Sequence, residues 1–135
     1  MSELEPIERA AFLNELRAAF QGYKPMSGNS VKDFLALVNA RVAQGAKEYG
    51  DASPQREFAE LIGEMEQEAA DIAGWACQAW RRVGHLSSNK TLHKDHPLVI
   101  LSNMLIQRAE DAFHLWDDLR YLREGIATRC DQIRA

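Results

Sequence analysis

The stretch that decides the fold is Phe58-Ala59-Glu60-Leu61-Ile62-Gly63-Glu64-Met65-Glu66-Gln67-Glu68-Ala69-Ala70-Asp71-Ile72-Ala73-Gly74-Trp75-Ala76-Cys77-Gln78-Ala79-Trp80-Arg81-Arg82. Its apolar residues recur at spacings of three and four, the period of an α-helix, with no alternation or β-branched run that a strand would need. Read as heptads, Phe58, Met65, Ile72 and Ala79 share one seam position, and Leu61, Glu68, Trp75 and Arg82 share the other. At about 100° per residue, Glu60, Glu64, Glu68 and Asp71 fall on one acidic ridge that Trp75 and Arg82 continue. Glu68 therefore belongs to the ridge and to the seam, and this reading points it inward.

Working outward from this helix, predicted to span about residues 55 to 83, the same period governs the rest of the chain. Ser2 as cap and Glu5 in a capping box open a helix over residues 3 to 20, which ends at Gln21-Gly22. The Gly- and Ser-containing stretch from Gly22 to Ser30 reads as a loop. A second helix runs from Ser30 to Tyr49, stopped by Gly50. After the polar segment from Gly84 to His96, a fourth opens at Asp95 or His96 with Pro97 in its first turn, and Leu98, Leu101, Leu105, Ala112, Leu115, Leu119 and Leu122 mark its seam. The expected fold is all-α: a single domain over residues 1 to 135, an antiparallel bundle of about four main helices.

Composition is consistent with that fold. The chain has 135 residues, 46% of them hydrophobic and 27% charged, which suits one globular domain. Sixteen Lys and Arg against 20 Asp and Glu give a net charge of -4, without the basic excess that duplex nucleic acid binding requires. The first residues, Met1-Ser2-Glu3-Leu4-Glu5, lack the apolar core of a signal peptide, and no apolar run is long enough to span a membrane, so a cytoplasmic protein without membrane partners is expected. Cys77 and Cys130 are too few for a disulfide framework or a cysteine zinc site, and both are expected to be reduced.

An ionised carboxylate facing a core needs a neutralising partner. For Glu68 two present themselves: a bound divalent cation, or Arg108, which occupies a seam position of the fourth helix where leucine is expected. A second acidic segment, Glu48-Tyr49-Gly50-Asp51, ends the second helix, and a short connection makes that helix an antiparallel neighbour of the third. Carboxylates from two such helices can close around Mg²⁺, a hard cation that takes oxygen ligands and is commonly shared with substrate phosphates. Such a site suits metal-assisted phosphate chemistry.

The segments Ala40 to Asp51 and Glu60 to Ala76, 29 residues in all, resemble the MazG-like all-α nucleoside triphosphate pyrophosphohydrolases, in particular the short versions of phage and bacterial genomes. In that family a helix ending in acids faces a second helix carrying Glu-x-x-Asp, and the acids hold Mg²⁺ while water releases pyrophosphate from a nucleoside triphosphate. Glu68-Ala69-Ala70-Asp71 matches the second motif, and Glu64 stands where the family can place a further acid. The first motif departs from Glu-x-x-Glu, having Asp51 at its last position, so Asp51 is either a ligand or the cap of the next segment.

The resemblance thus implies hydrolysis of nucleoside or deoxynucleoside triphosphates to monophosphate and pyrophosphate with Mg²⁺, or Mn²⁺ in its place. Glu48, Asp51, Glu64, Glu68 and Asp71 are the metal candidates, Glu68 and Asp71 the catalytic ones, and a homo-oligomer, dimer or tetramer, is expected. Lys47, Arg82, Lys90 and Lys94 are candidate phosphate partners, since charge-assisted contacts favour Lys and Arg. Trp75 is a candidate for stacking a base, against the ordinary reading of tryptophan as core. His93 and His96 read as loop histidines rather than zinc ligands, and no Gly-x-Ser-x-Gly elbow marks a serine hydrolase. The rival reading is a non-enzymatic helical-bundle adaptor with solvated acids and a structural Glu68 to Arg108 pair.

Overall fold

Helical periodicity translates into helices throughout the computed structural model, which describes residues 6–25, 28–49, 56–88 and 90–133. The main elements are α1 (Pro6–Ala19), α2 (Ser30–Tyr49), α3 (Phe58–Ser87) and α4 (Pro97–Leu122), followed by a π-helical turn (Arg123–Ala127) and α5 (Thr128–Asp131). No strand occurs among the described residues, so the fold is all-α as expected. No helix is long and apolar enough to cross a membrane among the described residues. Ser2, Glu5 and Gly50, which the sequence assigns to a capping box and a helix stop, lie outside the described residues.

The chain divides into two compact units, the first ending at Arg56 and the second starting at Glu57. In the first, α1 packs on α2. Gly22, at φ 84°, takes the left-handed conformation that carries the chain out of α1. Phe20 meets Phe34 edge-on with ring centroids 6.0 Å apart, and Leu35 is the buried hydrophobic among the described residues of this unit.

The second unit is an antiparallel hairpin of α3 and α4. Its inner seam on α3 passes through Ile62, Glu66, Ala69, Ala73, Ala76 and Val83, alternately four and three apart until the step of seven to Val83. On α4 the matching seam passes through Leu105, Ala109, Ala112, Trp116, Leu119 and Arg123. Alanine at the centre of both seams lets the backbones approach closely, and Ala69 and Ala112 are among the most buried residues. This seam lies one residue C-terminal to the heptad positions expected on α3. The reason is size: the small side chains pack between the helices, leaving Met65, Ile72 and Trp75 to the outside.

Two ends differ instructively from the sequence expectation. The third helix runs to Ser87, four residues beyond the predicted stop, because Val83 is buried in the seam and the Ser87 hydroxyl donates to the Val83 carbonyl at 2.8 Å. The start of α3 is capped from the far end of the chain: the Asp131 carboxylate accepts from the backbone N–H groups of Phe58 (2.6 Å) and Ala59 (2.9 Å). Such a carboxylate satisfies orphan donors and complements the positive end of the helix dipole. The π-helical turn makes that reach possible, because Leu119, Arg123, Ala127 and Asp131 follow one another at intervals of four and stay on the α3 side. His96 caps α4 as the sequence suggests, its Nδ1 accepting from the Leu98 N–H at 3.1 Å.

Candidate functional site

The acid buried in the hairpin is Glu66, not Glu68. Glu66 is 6% exposed, and both of its carboxylate oxygens accept from Arg123, through Nε to Oε2 and through Nη2 to Oε1 at 3.2 Å. A two-point guanidinium–carboxylate pair satisfies a buried charge that would otherwise be costly. The hydrogen bond to Glu66 raises the Arg123 pKa above its ordinary value. The Arg123 stem lies against Gly63, where an added Cβ would stand 3.8 Å from Arg123 Cδ.

The intramolecular Glu68 to Arg108 pair of the rival reading is therefore corrected. Glu68 is exposed, and Arg108 instead binds Asp111 one turn along its own helix, Nε to Oδ2 at 3.1 Å, with both side chains 53% exposed. The physical cause is the one-residue shift of the seam. Advancing by one residue rotates the helix by about 100°, which brings Ala69 inward and leaves Glu68 on the outer flank.

On α3 the ridge residues Glu60, Glu64, Glu68 and Asp71 are all exposed, and so are Trp75 (75%) and Arg82. The helix thus brings Glu64, Glu68 and Asp71 onto one solvent-facing surface. Among the described residues, no three His, Cys, Asp or Glu side chains converge as a group able to hold a metal ion. Asp51 and the side chains of Lys47 and Glu48, the first half of the expected site, lie outside the described residues. The donor types present on the ridge are hard carboxylate oxygens, which fit Mg²⁺ or Mn²⁺ and not a soft metal.

Lys90 and Lys94 are exposed in the connection between α3 and α4. With α3 continuing to Ser87, that connection stands about 24 Å along the helix axis from Asp71. Within one copy these lysines are not neighbours of the ridge. His93 sits in the same connection, its Nδ1 accepting from the Asp95 N–H at 3.1 Å, and His96 is spent on capping. Cys77 and Cys130 are free thiols.

Two structural pairings escape the sequence reading: Glu66 with Arg123, and Asp131 with the start of α3. The first leaves a trace, since Glu66, Ala69, Ala73 and Ala76 form a three-and-four series as regular as the one through Met65, Glu68 and Ile72. The second depends on a π-helical turn that no residue pattern announces. Comparison with family models, curated proteins and solved structures finds no match for this chain.

Proposed function

We propose that this chain is a pyrophosphohydrolase that converts nucleoside or deoxynucleoside triphosphates to the monophosphate and pyrophosphate with Mg²⁺, Mn²⁺ serving in its place. The observation that carries the reading is the division of labour on α3. Glu66 is consumed by Arg123, while Glu64, Glu68 and Asp71 all lie on the exposed side of the helix. Their spacing is that of the Glu-x-x-Asp motif, and the all-α fold is the one the resemblance implies.

In this reading Glu64, Glu68 and Asp71 would hold the cation. The cation supplies neutralisation of phosphate oxygens and a lowered pKa for bound water. Water oxygen bonds to the α-phosphorus as the bond to the α–β bridging oxygen breaks; pyrophosphate leaves, and a ridge carboxylate takes the proton. Arg82, exposed on the same helix and continuing the ridge, is the cation proposed for the triphosphate.

The adaptor reading also draws on a specific observation, the large apolar surface left on the outside of the hairpin. Pyrophosphate release from a panel of ribo- and deoxyribonucleoside triphosphates decides between them, comparing the native chain with Asp71→Asn. The hydrolase reading expects Mg²⁺-dependent release that falls at least 100-fold in the variant at unchanged helicity. Absence of release across the panel leaves the adaptor reading standing.

A further inference from the structure

The α1–α2 hairpin of the first unit holds an open cleft of about 720 Å³. Small-molecule sites occupy about 300–1,000 Å³, so the cleft is of ordinary size for one. Two stripes of side chains form its walls. On α1, Leu13, Arg17 and Phe20 follow one another at intervals of four and three; on α2, Lys32, Leu35 and Asn39 follow at three and four. These are the spacings of a helix–helix seam, which ordinarily carries apolar residues throughout. Here the apolar part is confined to Leu35, which is buried, and to Leu13 and Phe20, while a cation stands in each stripe.

The two cations share the cleft without a counter-charge. Arg17 and Lys32 line it from different helices, and no Asp or Glu lines it among the described residues. Neither makes an ion pair among the described residues, in a chain whose 20 acids outnumber its 16 lysines and arginines. Like charges brought into one cleft repel, and an anion held between them reverses the sign of both interactions. Arg17 spends one donor on its own helix, Nη1 to Asn14 Oδ1 at 2.8 Å. The rest of its planar fork matches the two oxygens of a carboxylate.

The end of the cleft is aromatic. Gly22, at φ 84°, turns the chain back on α1, and the Tyr23 N–H donates to the Phe20 carbonyl at 3.0 Å. The two rings stand 6.3 Å apart between centroids, tilted by 51°, with Tyr23 63% exposed. A flat ring entering the cleft can therefore stack on Tyr23 and cover Phe20. Asn29 and Asn39, which also line the cleft, each offer a donor and an acceptor to a polar substituent.

We propose that this cleft binds a small aromatic carboxylate: Arg17 and Lys32 hold the carboxylate, Phe20 and Tyr23 take the ring, and Asn29 and Asn39 hydrogen-bond to its substituents. A free inorganic anion leaves the aromatic end unused, and a neutral ring leaves the two cations without a counter-charge. The ligand that satisfies both parts joins a planar anion to a flat apolar body. None of these residues belongs to the α3 ridge, so the site is independent of the hydrolase reading, and its test reads binding and not turnover.

The experiment is titration of the full native chain with 2-naphthoate, followed by calorimetry and by ¹⁵N–¹H correlation spectra. Two controls separate the parts: 2-naphthylmethanol has the ring without the charge, and acetate the charge without the ring. 2-Naphthoate should bind about 10-fold or more tightly than either and should shift the signals of Tyr23 and Lys32 and the side-chain amides of Asn29 and Asn39. Lys32→Glu, a change on the exposed surface of α2, should weaken binding about 30-fold at unchanged helicity, whereas Lys32→Arg should stay within about 3-fold of the native chain. Tyr23→Ala, outside the helices, should lose about 5-fold for 2-naphthoate and nothing for acetate. The proposal is overturned by 2-naphthylmethanol binding as tightly as 2-naphthoate, by shifts confined to the α3–α4 hairpin, or by Lys32→Glu binding as the native chain does. Absence of 2-naphthoate binding at about 5 mM overturns it as well.

Discussion

The two seams of the α3–α4 hairpin use the same spacing for opposite ends. The inner seam is built from Ala69, Ala73, Ala76, Ala109 and Ala112, and it hides a charge, Glu66, by pairing it with Arg123. The outer seam, one residue away, is built from Met65, Ile72, Trp75, Leu101 and Leu115, and its charges Glu68 and Arg108 stay in water. Small residues bring two backbones together but remove little apolar surface from solvent, so the inner seam alone leaves the larger hydrophobic gain unrealised. In this pair of helices, side-chain size separates the seam that is packed from the seam that stays exposed.

The strongest way to break the comparison is at the inner charge. Arg123→Met strands the buried Glu66 carboxylate and is expected to lower Tm by on the order of 10 °C, whereas adding Glu66→Leu should restore most of the loss. A Tm unchanged in Arg123→Met would mean that the inner pair holds nothing together. Next in size is the hairpin's open end, where Asp131→Ala should cost about 1 kcal/mol in denaturant unfolding by removing the cap of α3. No change there would leave the π-helical turn without a structural role. The smallest effect is at the outer centre: Trp75→Ala truncates a side chain that is 75% exposed and should change stability by less than about 0.5 kcal/mol. A loss larger than that at Asp131 would place Trp75 in the core and erase the distinction between the seams.

The sequence makes the helices legible, because three-and-four spacing and the Pro97 signal depend only on neighbours along the chain. It does not settle which of two adjacent seams faces inward. Met65, Ile72 and Trp75 are the more hydrophobic set, and a rule that buries the largest apolar residues chooses them. The hairpin chooses the alanines instead, and this single shift turns Glu68 outward, buries Glu66 and frees Arg108 for Asp111. The ridge of Glu60, Glu64, Glu68 and Asp71 survives the shift, since acids on one helix keep their mutual spacing whichever way the helix is rotated.

The most direct test of the two-seam account is denaturant unfolding of Glu66→Gln beside Glu68→Gln, the same chemical change on neighbouring seams. The result expected is a loss of about 3 kcal/mol at Glu66, where Arg123 loses its paired carboxylate, and a change of less than about 0.5 kcal/mol at Glu68, which is exposed. Equal losses, or the larger loss at Glu68, would contradict the account.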